Sequence, residues 1–228
     1  MAASTCASRP VHVPANAGWT TRTVEALPRQ HEDRDGMWHS QHGQDRIVST
    51  LLSSKRGGFF LDLAASTPLL HSNTRTLERD FGWSGVCIEA NPRFWGPLVS
   101  WRCGCTIVGA AVAEQRSEAG FHFYGPFAGM GGLTLNGTDN AGRPETIRVQ
   151  VVTIAEIFQQ FAVPLTIDYM SLDVREQGDL TCAPLIPTEP GSVTDGSSVR
   201  LSMGYWILVL AGGRRRDARH VQLSICDA

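Results

Sequence analysis

The sequence predicts an α/β protein built around a mostly parallel sheet. Short apolar runs with an acid at or near the carboxyl end recur at 59–65, 85–89 and 167–174. Segments with helical spacing of apolar residues alternate with them, and Gly or Pro punctuates the joins. Strands buried on both faces read as continuous apolar runs, and strands alternating with helices imply parallel pairing through crossovers.

In chain order, residues 1–36 predict a disordered tail. They hold Arg9, Arg22 and Arg29, no acid before Glu25 and no apolar segment of signal-peptide type. Pro10 and Pro14 interrupt any amphipathic targeting helix, so organelle targeting is only the weaker alternative to a cytoplasmic location. A domain over 37–174 opens with an amphipathic helix through Ile47, Val48, Leu51 and Leu52, ending at Gly57 and Gly58. Phe59–Ala65 is the first sheet strand, with Asp62 near its carboxyl end. Ser72, Asn73 or Thr74 can cap a helix running to Asp80, and Gly82 stands where a left-handed stop is expected. Gly85–Glu89 is a second strand, Arg93–Trp101 a helix and Thr106–Val112 a third strand.

The Gly-rich stretch from Gly125 to Gly142 reads as irregular, with a hairpin signal at Asn136-Gly137. Arg148–Val152 is strand-like, Ile154–Phe161 helical and Ile167–Val174 a fourth strand. Residues 175–228 are atypical: 11 of the 19 from Thr181 to Val199 are Pro, Gly, Ser or Thr, a loop or disorder texture. Leu201–Leu210 is a further candidate strand.

Composition narrows the function classes. Twenty basic and 22 acidic residues among 228 supply no overall basic field for nucleic acid. The longest apolar run, Tyr205–Gly213, is far short of a membrane span of about 20 residues. The six cysteines are scattered and read as mostly reduced. Cys103 and Cys105 lack the second pair that a structural zinc site needs, so no metal is expected. Trp83, Trp95 and Trp101 read as core residues, with substrate stacking the lesser alternative.

Ligands of open α/β sheets lie beyond the carboxyl ends of the strands, so Asp62, Glu89 and Asp173 converge on one crevice. A carboxylate such as Glu89 can accept from both hydroxyls of a ribose. The loop at Asp62–Pro68 (DLAASTP) has no glycine, whereas a dinucleotide pyrophosphate needs G-x-G-x-x-G at a helix N-terminus. A nucleoside without phosphates, such as S-adenosylmethionine, fits that loop better.

Ser40-Gln41-His42-Gly43-Gln44-Asp45, Phe60–Ala65, Ser72-Asn73-Thr74, Gly82–Gly85 and Cys87–Pro92 together resemble the FkbM family of methyltransferases. Thr153–Phe161 and Ile167–Val174 resemble the same family's helix and fourth strand, so the likeness spans Ser40 to Val174. It implies a Rossmann-like, class I methyltransferase sandwich of three layers. It also implies S-adenosylmethionine as cofactor and a hydroxyl of a sugar, glycan or other small acceptor as substrate.

Carried over by position, Asp62, Ala64, Ala65 and Ser66 would form the cofactor loop, Glu89 would hold the ribose diol and Asn91 would lie beside the adenosine. Asn73 and Thr74 would contact the amino-acid moiety or only cap the helix. Asp173 would face the methyl-bearing end. Where the family generally has Gly, this chain has Ala64, and after Val174 the likeness ends. Only 54 residues follow Val174, whereas three more crossover-connected strands need on the order of 30 each. The sheet is therefore expected to be incomplete after its fourth strand, in a truncated, shifted or alternatively spliced chain.

Methyl transfer to a hydroxyl needs orientation and a base. Asp173, His42 and His71 are the candidates, against a capping carboxylate and two surface histidines as the plain alternatives. Two other functions compete with a methyltransferase: a binding protein with a degenerate cofactor pocket, and a nicotinamide-dependent oxidoreductase, which the missing glycines disfavour.

Overall fold

The computed structural model describes residues 6, 9–16, 18–25, 38–123 and 146–172, with the backbone alone of strands 131–134, 196–201 and 205–210. Within these the chain is an α/β protein with two sheets.

β1 (Pro10–Ala15) and β2 (Gly18–Thr23) form an antiparallel hairpin. The expectation of a tail over 1–36 therefore fails for these residues. Val11 and Val13 alternate inward and are buried, a period of two that suits a strand. Pro10 opens the strand, and Pro14 lies beyond the Val11–His12 stretch that pairs with the main sheet, so neither proline removes a bond on that side.

α1 (Gln44–Leu51) and β3 (Phe59–Leu63) follow. α2 (Arg75–Phe81) ends at Gly82, whose φ of 68° is the left-handed stop. β4 (Ser84–Ile88) leads through a 3-10 turn at Pro92–Phe94 into α3 (Trp95–Trp101). The expected strand Thr106–Val112 is divided into β5 (Cys105–Val108) in the main sheet and β6 (Ala111–Val112) in the second. Gly109 stands at the break, where any Cβ would collide with the Trp95 indole.

β7 (Ser117–Phe123), β8 (Gly131–Thr134) and β9 (Thr146–Val152) complete the second sheet in the order β6-β9-β7-β8. α4 (Ile154–Gln160) begins on a capping box of Thr153 and Glu156 and is followed by β10 (Tyr169–Leu172). The expected strand Leu201–Leu210 is two antiparallel strands, β11 (Gly196–Leu201) and β12 (Tyr205–Leu210).

The main sheet has eight strands in the order β11-β12-β10-β3-β4-β5-β1-β2. Its central run β10, β3, β4, β5 and β1 is parallel throughout, and the hairpins at both edges are antiparallel. This arrangement is compatible with a Rossmann-like fold. After Val174 the described residues add two strands, paired antiparallel to β10 and to each other, where three more were needed to complete such a sheet.

Phe60, Cys87, Ile107 and Tyr169 on one face pack with Val48 of α1, Leu77 and Phe81 of α2, and Leu98 and Val99 of α3. Leu61, Leu63, Val86, Ile88 and Met170 on the other pack with Ile154 and Ile157 of α4. Three layers result. Trp83, Trp95 and Trp101 are all buried, as core packing requires.

Among the four described cysteines, two are not reduced: Cys6 and Cys103 form a disulfide with Cα atoms 5.4 Å apart. β1 runs parallel to β5, so the segments leading into both strands lie at one end of the sheet. Their 97-residue separation hid this from the sequence. Cys87 and Cys105 are buried thiols. No helix is long and apolar enough to cross a membrane among the described residues.

Candidate functional site

β3 and β4 end side by side, with Asp62 opposite Cys87 and Leu63 opposite Ile88. Beyond β3 the chain makes a tight loop in which Ala64 has φ 63° and Ser66 φ 50°. Left-handed backbone costs a residue with a Cβ about 1–2 kcal/mol, and such strain concentrates at ligand-holding loops. The loop thus takes a glycine-like shape without glycine.

Two further bonds tie it to the adjoining strand. Ala65 N–H donates to Ile88 O at 3.0 Å, and Ser66 N–H donates to Glu89 Oε2 at 2.7 Å.

Glu89 follows β4 and is buried. Its Oε1 accepts from Asn91 N–H at 2.7 Å, and its carbonyl accepts from Trp95 Nε1 at 2.9 Å. Its carboxylate is therefore held by the amides of two loops at the carboxyl edge of the sheet. Asn91 is buried beside it, and its Oδ1 caps the 3-10 turn by accepting from Arg93 N–H at 3.0 Å.

Asp62 lies elsewhere. It points to the face that carries α2 and α3, where Thr74 donates to its Oδ2 at 2.5 Å and Arg102 Nη1 stands 3.7 Å away. Burial pushes its carboxyl above the usual range, opposed by the Arg102 charge and by hydrogen bonds from Thr74 and Ser171.

Arg102 is the centre of this cluster and fully buried. Nε donates to Glu78 Oε2 at 2.6 Å, Nη2 to Thr74 Oγ1 at 2.6 Å and Nη1 to Ser72 Oγ at 3.2 Å. Glu78 Oε1 accepts from Gly104 N–H at 2.8 Å. Thr74 makes no side-chain cap, because its hydroxyl is engaged between Asp62 and Arg102. Ser72 Oγ instead accepts from Arg75 N–H at the start of α2.

Asn73 Nδ2 donates to Ser171 Oγ at 2.9 Å, across to β10, and its Oδ1 has no partner among the described residues.

The structure thus brings Ala64, Ala65, Ser66, Glu89 and Asn91 together at the carboxyl edge. Asn73 faces β10, and Asp62 and Thr74 sit in the ionic cluster beneath. Asp173 lies outside the described residues, as do Asn136 and Gly137. His42 and His71 are exposed, and His71 has a left-handed φ of 62°. No group of three or more metal-ligating side chains occurs among the described residues.

Sequence reasoning missed Glu78, Arg102 and Ser171. Glu78 carried a signal, since it sits on the same helical stripe as Thr74, Leu77 and Phe81, and an acid there implies a buried partner. No protein-family model matches the chain, and neither a curated protein nor a solved structure is detectably similar to it.

Proposed function

We propose that the chain is an S-adenosylmethionine-dependent methyltransferase of Rossmann-like, class I type that methylates a hydroxyl of a sugar, glycan or other small acceptor. The carrying observation is the strained Ala64–Ser66 loop joined through Ser66 N–H to the buried Glu89 carboxylate. This pairs a tight turn after one strand with a diol acceptor after the next, and supplies no cradle for a pyrophosphate. The central order β10-β3-β4-β5, with helices on both faces, supports the same class.

The residues present suit the cofactor's chemistry. Glu89 offers acceptors for the two ribose hydroxyls, Asn91 stands beside it, and Asn73 Oδ1 is an unsatisfied acceptor suited to an ammonium. When bound, the cofactor supplies an electrophilic methyl on a sulfonium.

Glu89, held by two amides, keeps its carboxylate in place without reorganising on binding. Ala64 and Ser66 let the backbone approach closely. Asp62, Thr74 and Arg102 lock the start of α2 against β3, so Asn73 is held in register with Ser171. The hydroxyl proton would pass to Asp173, which follows β10 directly in sequence.

Calorimetric titration of the purified chain with S-adenosylhomocysteine tests the reading. Saturable binding is expected, and Glu89→Ala should weaken it about tenfold or more, as loss of hydrogen bonds to a charged group does. Absence of heat at high protein concentration overturns the proposal. Unchanged affinity in Glu89→Ala removes the ribose contact from it.

A further inference from the structure

Two buried side-chain amides, Gln44 and Asn73, each leave one polar atom without a partner among the described residues. Their neighbours settle which atom it is. His42 N–H donates to Gln44 Oε1 at 2.9 Å, so the amide must present its NH2 group, and Nε2 is the unsatisfied donor. Ser171 gives its hydroxyl hydrogen to Asp62 and therefore accepts from Asn73 Nδ2, which leaves Asn73 Oδ1 as the unsatisfied acceptor. Buried polar atoms are rarely left unpaired, and an orphaned donor beside an orphaned acceptor marks a place where a ligand carrying both complements belongs.

The topology brings together the two helix starts that carry these amides. Asp45, next to Gln44, accepts from Thr76 Oγ1 at 2.8 Å, which holds the first turn of α1 against the first turn of α2. Asn73 lies just before that same turn of α2. Asp45 also accepts from His39 N–H, Ser40 N–H and Ser40 Oγ, so the segment before α1 is fastened in place.

We infer that Gln44 is a binding residue for an α-amino-acid group, donating from Nε2 to its carboxylate while Asn73 Oδ1 accepts from its ammonium. The donor and acceptor match the two ends of a zwitterion, whereas an ionised phosphate, which only accepts, would leave the Asn73 acceptor unmet. This rests on the function proposed above and deepens it: the group recognised is the amino-acid end of the cofactor, and Gln44 is what distinguishes the whole cofactor from a plain adenine nucleoside. Asp45 makes a second acid at this position unfavourable, so recognition of the carboxylate falls to the neutral amide.

The test compares two probes on the full chain by calorimetry: S-adenosylhomocysteine, and 5′-methylthioadenosine, which keeps the nucleoside and the thioether but has no amino acid. Wild type should bind the first about tenfold or more tightly than the second, the gain expected for hydrogen bonds to charged groups. Gln44→Glu keeps the acceptor for His42 N–H but sets a carboxylate against a carboxylate. It should lose that preference and leave methylthioadenosine affinity unchanged. Gln44→Met should do the same if the acidic variant does not fold, as judged by its thermal transition.

Equal affinity of wild type for the two probes overturns the inference, as does an undiminished preference in a folded Gln44 variant. In both cases the nucleoside still binds and the proposed function stands. If neither probe binds wild type, the inference falls together with that function.

Discussion

The two faces of the main sheet are built from the same strands on different principles. The face under α4 packs through apolar contacts, with Leu61, Leu63, Val86, Ile88 and Met170 meeting Ile154 and Ile157. The face under α1, α2 and α3 buries Asp62, Glu78, Arg102, Thr74, Ser72 and Ser171 among its apolar side chains. β3 feeds both, because alternate residues of a strand point to opposite sides: Leu61 and Leu63 to one, Asp62 to the other. The apolar face supplies non-directional stability. The polar face supplies position, since each of its hydrogen bonds is satisfied by one geometry only, and it is the face on which Asn73 and the start of α2 are aligned with β10. Its cost is that removing any single member leaves another charge buried.

Breaking the polar face gives the largest expected effect. Arg102→Met leaves Glu78 and Asp62 without their cation in the core and should destabilise the chain by about 3–5 kcal/mol in urea titrations. A loss under about 1 kcal/mol would mean that the cluster contributes little.

On the apolar face, Ile157→Ala should cost about 2–5 kcal/mol by transfer and cavity terms. Unlike the arginine change, it should leave nucleoside affinity unaltered, and equal effects of both variants on affinity would erase the distinction between the faces.

Thr153→Ala removes the cap of α4 and should cost about 1 kcal/mol. The capping partner provides a pH signature. Burial alone would raise the Glu156 carboxyl, but bonds from Thr153 and Arg116 outweigh it and the net direction is down from 4.5. Its stabilisation is therefore present above pH 4.5 and lost as pH falls through the lowered value. The stability difference between wild type and Glu156→Gln, followed by chemical denaturation from neutral pH downward, should shrink in that window and be absent at lower pH.

The smallest effect concerns the strained loop. Ala64→Gly relieves the left-handed backbone but loosens the unfolded chain, for a net gain of about 0.5 kcal/mol. A loss instead would show that the Ala64 methyl is used in packing.

The β3-α2-β4-α3 succession was legible because its signals are local: an apolar run, a cap, Gly82 and another apolar run fall within 43 residues, from Phe59 to Trp101. Glu89 was legible for the same reason, as the acid closing a strand. β7 was passed over although Ala119, Phe121 and Phe123 alternate inward, a pattern shortened by its Gly and Ser neighbours. The hairpin of β1 and β2 reads as a tail in the sequence because its prolines argue against a helix while saying nothing against a strand that pairs only in part.

The sequence by itself determined the alternation of strands and helices, the glycine-free loop after β3 and the acid after β4, since each depends on residues near one another in the chain. Only the tertiary structure decided that Arg102 neutralises Glu78 from 24 residues away, that Cys6 meets Cys103 and that Ala64 takes a conformation its side chain disfavours. Those outcomes depend on which strands become neighbours, and burial makes partners of charges and thiols that nothing in their spacing connects.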